Sequence, residues 1–151
     1  MKITVAGLGA IGLWLAGRLL AAGHEVRCFA RGATLEALQR EGLRLTFEGQ
    51  ESATPVFATD DPKALGPVDL LLLTPKSQAL PVLAAQLAPA ITRATTVVPL
   101  CNGVPWWFLA EAPPPLQGSA LPGIDPGAVC ERAWPLDQVL GSVVHASATL
   151  A

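Results

Sequence analysis

Three glycines, Gly7, Gly9 and Gly12, stand in the order G-x-G-x-x-G within GLGAIG, directly after the β-branched run KITVA. The spacing is common, but a strand before it and a helix after it give it a mechanism. Gly7 permits the tight turn, Gly9 lets a diphosphate approach a backbone that carries no Cβ, and Gly12 lets the helix lie close to the strand. Amides along Leu8, Ala10 and Ile11 then complete an anion cradle at a helix N-terminus. A flexible glycine turn with no ligand is the plain alternative.

Arg31 is the next residue able to do chemistry. In dinucleotide-binding units a carboxylate after the second strand holds the ribose 2′-hydroxyl of NAD, whereas an arginine there accommodates the 2′-phosphate of NADP. Arg31, in CFARG, lies 24 positions after Gly7, and no Asp or Glu occupies positions 29–34. A guanidinium grips phosphate oxygens with two charge-assisted hydrogen bonds. At about 1.5–3 kcal/mol per bond, NADP should be favoured over NAD by about 10- to 100-fold. The alternative is a solvated arginine at a strand end.

Lys76, in TPKSQ, follows an apolar run and stands at or before a helix start, where the helix dipole disfavours a cation. A ligand anion would account for it. Asn102, in CNGVPWW, offers a donor and an acceptor together, suited to a ribose hydroxyl or a substrate carboxylate. Asn-Gly is equally an ordinary turn dipeptide.

The elements that must position these residues alternate. Strands are expected over Lys2–Ala6, Glu25–Ala30, Leu43–Phe47, near Pro55–Ala58, over Val68–Thr74 and over Thr95–Cys101. Helices are expected over Ala10–Ala22, Thr34–Glu41 and Ser77–Leu87, with a brief one through Leu65 capped by Asp60 or Thr59. EGQES reads as a polar turn. The unbroken apolar run VDLLLLT implies a strand buried on both faces. Pro99 is tolerable only at a sheet edge, a bulge or a strand end. Beyond Cys101 we expect one short helix, an irregular Pro- and Trp-rich excursion over about 105–126, a helix over Pro126–Ala133 and a strand over Val139–Leu150. Repeated βαβ units mean a parallel sheet with helices on both faces, and Lys76 and Asn102 should then face one cleft at its carboxyl edge.

Composition bounds the partners. The chain has 151 residues, enough for one domain that buries roughly two-thirds of its unfolded surface. With 10 Lys+Arg scattered among 12 Asp+Glu, no basic stripe faces a nucleic acid or an anionic membrane. Arg18 and three early glycines interrupt the apolar start, which speaks against a secretory signal or a membrane span. Cys28, Cys101 and Cys130 complete no metal pattern with His24 and His145. They read as reduced thiols of a cytoplasmic protein.

GLGAIG, Arg31, Lys76 in TPKSQ, Asn102 in CNGVPWW and the late GSVVHA together resemble the N-terminal half of the ketopantoate reductase (2-dehydropantoate 2-reductase) family. The resemblance implies a Rossmann-type, doubly wound, mostly parallel α/β sheet, with residues 1–151 as one NADP-binding domain. It implies NADP(H) across Gly7–Gly12, its 2′-phosphate on Arg31 and Lys76 at the nicotinamide end. It further implies Asn102 touching cofactor and substrate, and backbone near Ser147 closing over the cofactor. The substrate would be a small 2-keto acid. Family members continue into a helical domain that supplies the general-acid lysine, so no catalytic residue is expected in this chain. That domain, or a homo-oligomer partner, would cover Trp106 and Trp107. CNGVPWW departs from the family's shorter turn, which leaves room for another 2-keto acid. A free-standing NADP-binding module without turnover is the reading from a different class.

Overall fold

The computed structural model describes residues 1–150. Along the chain run β1 (Lys2–Ala6), α1 (Ala10–Ala21), β2 (Glu25–Phe29), α2 (Gly32–Glu41), β3 (Leu43–Phe47), β4 (Gln50–Thr54) and β5 (Phe57–Thr59). They are followed by β6 (Leu70–Leu73), α3 (Leu80–Leu87), β7 (Thr96–Pro99) and α4 (Val129–Ala133). Five strands pair in parallel in the order β5-β2-β1-β6-β7. The chain therefore works outward from β1 to β5, crosses back, and resumes at β6. That reversal, between β1 and β6, is where ligand crevices open in doubly wound sheets.

Strand alternation sends neighbouring side chains into two cores. Ile3, Val5, Val26, Cys28 and Leu72 pack with α1, α2 and β3 on one face, while Ala6, Phe29, Leu71, Leu73 and Val97 pack with α3, α4 and the buried Trp134 on the other. The β6 sequence LLLL has no polar face because both of its faces are covered.

Four expectations are corrected. First, EGQES is not wholly a turn. Glu48 and Gly49, with φ of 50° and 76°, make a two-residue hairpin loop, and β4 pairs antiparallel with β3 outside the main sheet. Gly17 of α1 makes room for this hairpin, since a Cβ there would lie 2.9 Å from Leu43 Cδ2. Second, Asp61 caps the helical turn Pro62–Leu65 by accepting the Lys63 N–H at 2.9 Å, whereas Thr59 accepts from Asp61. Third, residues 105–125 form successive turns with no helix, and the expected helix over 126–133 is broken at Gly127 and Ala128, both at positive φ. Buried Asp125 accepts the N–H groups of Cys130 and Glu131 at 2.8 and 3.0 Å and so starts α4.

Fourth, Val139–Leu150 is not a strand. Val139 bridges Val97 in parallel, and the Leu140 N–H reaches the Val97 carbonyl at 2.8 Å. The next rung of that ladder requires an N–H from residue 99, which is proline, so pairing stops. Pro99 accordingly lies at the end of the edge strand β7.

All three cysteines are free thiols. Burial pushes Cys28 up to about 12, and burial together with the Asp125 carboxylate does the same for Cys130. A raised folded-state value means that the folded chain keeps its protons where the unfolded chain has lost them. The resulting stability is complete below pH 9 and declines as pH rises toward 12. Denaturant melts of Cys28→Ala across this range should show a shallower alkaline decline than the parent chain. An equal decline would mean that Cys28 titrates freely.

Candidate functional site

A cleft of about 600 Å3 opens at the carboxyl edges of β1, β6 and β7, at the switch point of the sheet. Its floor is the β1–α1 loop, where the three glycines meet three different surroundings. Gly7 has φ of 90°, and a Cβ there would lie 2.4 Å from Pro75 N. Gly12 is buried, and a Cβ would fall 2.4 Å from Thr74 Oγ1. At Gly9 a Cβ would meet nothing within 4 Å, because the position faces the open cleft. Two glycines thus serve packing, and one keeps open a space that protein atoms do not fill.

The loop is tied down from the β6 side. The Thr74 hydroxyl donates to Gly7 O at 2.8 Å, with Ala6 O at 3.1 Å, and the Thr74 N–H donates to Ala6 O at 2.8 Å. The Gly9 N–H turns back to Gly7 O at 2.8 Å, and Leu13 is the first to donate into the helix, to Gly9 O at 2.9 Å. The N–H groups of Ala10, Ile11 and Gly12 therefore precede the first intrahelical bond of α1. They form the positive end of a 12-residue helix, with no acidic residue in its first turn.

Lys76 and Asn102 line the same cleft, as the sheet topology required. Lys76 is exposed, immediately before the helical turn Ser77–Ala79, and is the one charged side chain in the wall among the described residues. No carboxylate accompanies it there. The site therefore favours an anion by helix end and by side chain together. The described residues hold no cluster able to bind a metal ion.

Asn102 has a second engagement that its sequence did not reveal. Its Nδ2 donates to Val144 O at 3.0 Å, and its Oδ1 accepts the Val144 N–H at 3.0 Å, as a neighbouring strand would. Ser142 Oγ donates to Pro99 O at 2.6 Å. Side chains thus replace the rungs that Pro99 forbids, and the extended segment 140–146 becomes a strap whose Val144 and Ala146 wall the cleft. Ser147 is exposed, one residue beyond that wall. Cys101 donates its thiol to Pro75 O at 3.1 Å, and burial raises it to about 11, so it stays a protonated donor.

Arg31 stands apart from the cleft wall. It precedes α2 in extended backbone, exposed, and makes no hydrogen bond or ion pair among the described residues. Because Ala6 and Phe29 are in register, Arg31 lies two residues past β2 just as Leu8 lies two past β1, on the same edge of the sheet. Leu8 itself packs into the core beneath that edge. Thr74, Pro75 and Val144 were not singled out from sequence. Thr74 and Pro75 were hidden because the glycine spacing tells what the loop does but not what it is pressed against.

A curated and a solved relative each cover nearly all of the chain. A 2-dehydropantoate 2-reductase of Mesorhizobium japonicum is 44% identical over 147 residues, which are 96% of this chain and 45% of that protein. A crystal structure assigned as a ketopantoate reductase, from Ralstonia solanacearum MolK2, is 47% identical with a TM-score of 0.92, covering 99% of this chain and 46% of the other. A 2-dehydropantoate 2-reductase of Pyrococcus horikoshii is 35% identical over 69% of this chain and 34% of its own length. The chain thus spans about half the length, or less, of the relatives it matches. The family model for ketopantoate reductase PanE/ApbA matches residues 3–106, from the first strand to Trp106. On that match, and with the glycine loop, Lys76 and Asn102 gathered in one cleft, the chain belongs to the ketopantoate reductase PanE/ApbA family.

Proposed function

We propose that residues 1–151 are one NADP-binding domain, the cofactor half of a 2-dehydropantoate 2-reductase-like oxidoreductase. One observation carries the reading: the open N-terminus of α1, with the empty Cβ position of Gly9 before it, faces a cleft whose wall has a lysine and no carboxylate. A diphosphate fits that place by charge and by shape. The amides of Ala10, Ile11 and Gly12 hold it, with Gly7 and Leu8 shaping the approach. Arg31, unpaired among the described residues on the same sheet edge, holds the 2′-phosphate. Lys76 and Asn102 border the nicotinamide and the 2-keto acid, and the strap ending near Ser147 covers the cofactor.

When bound, NADPH supplies a hydride from C4 of its nicotinamide to the keto carbon. The protein groups orient and neutralise: Lys76 offsets anionic charge, and Asn102 has one Nδ2 proton beyond the one given to Val144. We assign no proton donor within this chain. Three free thiols, two of them buried, agree with a reducing compartment such as the cytoplasm.

Titrating the chain with NADPH and NADH tests the assignment of Arg31. NADPH should bind about 10- to 100-fold more tightly, and Arg31→Ala should bring the two close to parity. Equal affinities in the parent chain, or a preference that survives Arg31→Ala, would remove the assignment. The glycines separate by readout. Gly9→Ala should leave stability within about 0.5 kcal/mol yet weaken NADPH, whereas Gly12→Ala should cost about 1–3 kcal/mol through its collision with Thr74.

A further inference from the structure

A second, smaller cavity of about 150 Å3 opens beside the cleft and shares Ser77, Cys101 and Asn102 with it. It lies at the end of the cleft away from the glycines. Leu80, Val104, Pro105, Trp106, Trp107 and Val143 make up half of its lining, and no acidic or basic side chain lines it. The aromatic part is held firmly. Trp106 lies 5.5 Å, centroid to centroid, from fully buried Trp134, and Trp107 meets Trp106 edge-on at 4.4 Å.

Three polar side chains of this wall are engaged elsewhere. Ser142 Oγ is bound to Pro99 O, the Asn102 amide to Val144, and the Cys101 thiol to Pro75 O. The Ser77 hydroxyl and the indole N–H groups of Trp106 and Trp107 have no hydrogen bond among the described residues, and Asn102 keeps one Nδ2 proton. A hydroxylated group entering here would exchange full hydration for a few neutral donors in a mainly apolar wall, with no charged group among them. An apolar group would lose nothing, and apolar cavities of about 150 Å3 accommodate a benzene ring.

We propose that this side pocket receives an aryl or branched-alkyl group on C3 of a 2-keto acid whose carboxylate lies at the Lys76 and Asn102 end of the cleft. The substrate class is then an apolar 2-keto acid rather than the hydroxylated 2-dehydropantoate. The inference rests on the reading of the cleft as a 2-keto acid site.

The test is calorimetric titration of the chain with phenylpyruvate, 2-dehydropantoate and pyruvate, with and without saturating NADPH. Phenylpyruvate should bind at least about 10-fold more tightly than either other acid, the ratio that burying one apolar side chain supplies. Saturation-transfer NMR on the unmodified chain should mark the phenyl ring protons more strongly than the methylene. Val104→Phe, which fills the pocket from its rim, should abolish the advantage. Equal or weaker binding of phenylpyruvate, unmarked ring protons, or an advantage that survives Val104→Phe would overturn the proposal. The pocket is walled by the chain alone, so the preference should persist without nucleotide. Failure of NADPH to bind would instead sink the cofactor reading and leave this result standing.

Discussion

The site depends on the close approach of the β1–α1 loop to the end of β6. Side chains at positions 7 and 12 would occupy the space of Pro75 and Thr74, so the loop and the segment Thr74–Pro75–Lys76 form one packed unit. The Thr74 hydroxyl closes the contact by donating to Gly7 O. Three consequences follow from this single constraint. The first turn of α1, its amides not yet bonded within the helix, borders the cleft, the position of Gly9 stays free, and Lys76 is carried to the same cleft. The anion-attracting character of the site is thus a product of packing between two strands far apart in sequence.

A proline shapes the opposite wall. Pro99 ends the ladder that Val139 and Leu140 begin, and the chain beyond cannot continue as a sixth strand. Ser142 and Asn102 replace the missing rungs with side-chain bonds. The outcome is a strap held at discrete points, with Val144 and Ala146 in the cleft wall. Asn102 consequently has two duties: it borders the cleft and it holds the strap that covers it.

What was legible in the sequence was what local pattern determines. The glycine spacing, the apolar run of β6 and the strand–helix alternation gave the doubly wound sheet, and the carboxyl-edge rule brought Lys76 and Asn102 together. What was hidden depended on distant partners. β4, QESAT, has no alternation to read because nearly all of it faces solvent. VLGSVVHASATL has strand-like composition, yet its fate is decided by a missing N–H some forty residues earlier. The sequence also did not show that Trp106 packs toward Trp134 in the core, or that a Cβ on Gly141 would lie 3.6 Å from the Trp107 ring. Arg31 remains a position chosen by the chemistry of its type, on the correct edge but outside the cleft wall.

Anchored glycines, free helix amides and a lone lysine make a place that favours an anion, and the occupant we propose for it is a dinucleotide diphosphate. A crystal structure of the chain soaked with NADPH tests that statement most directly. The account predicts the diphosphate within hydrogen-bond distance of the Ala10, Ile11 and Gly12 nitrogens, over Gly9. Density for the coenzyme elsewhere on the molecule, or a cleft left empty at saturating concentration, would contradict it.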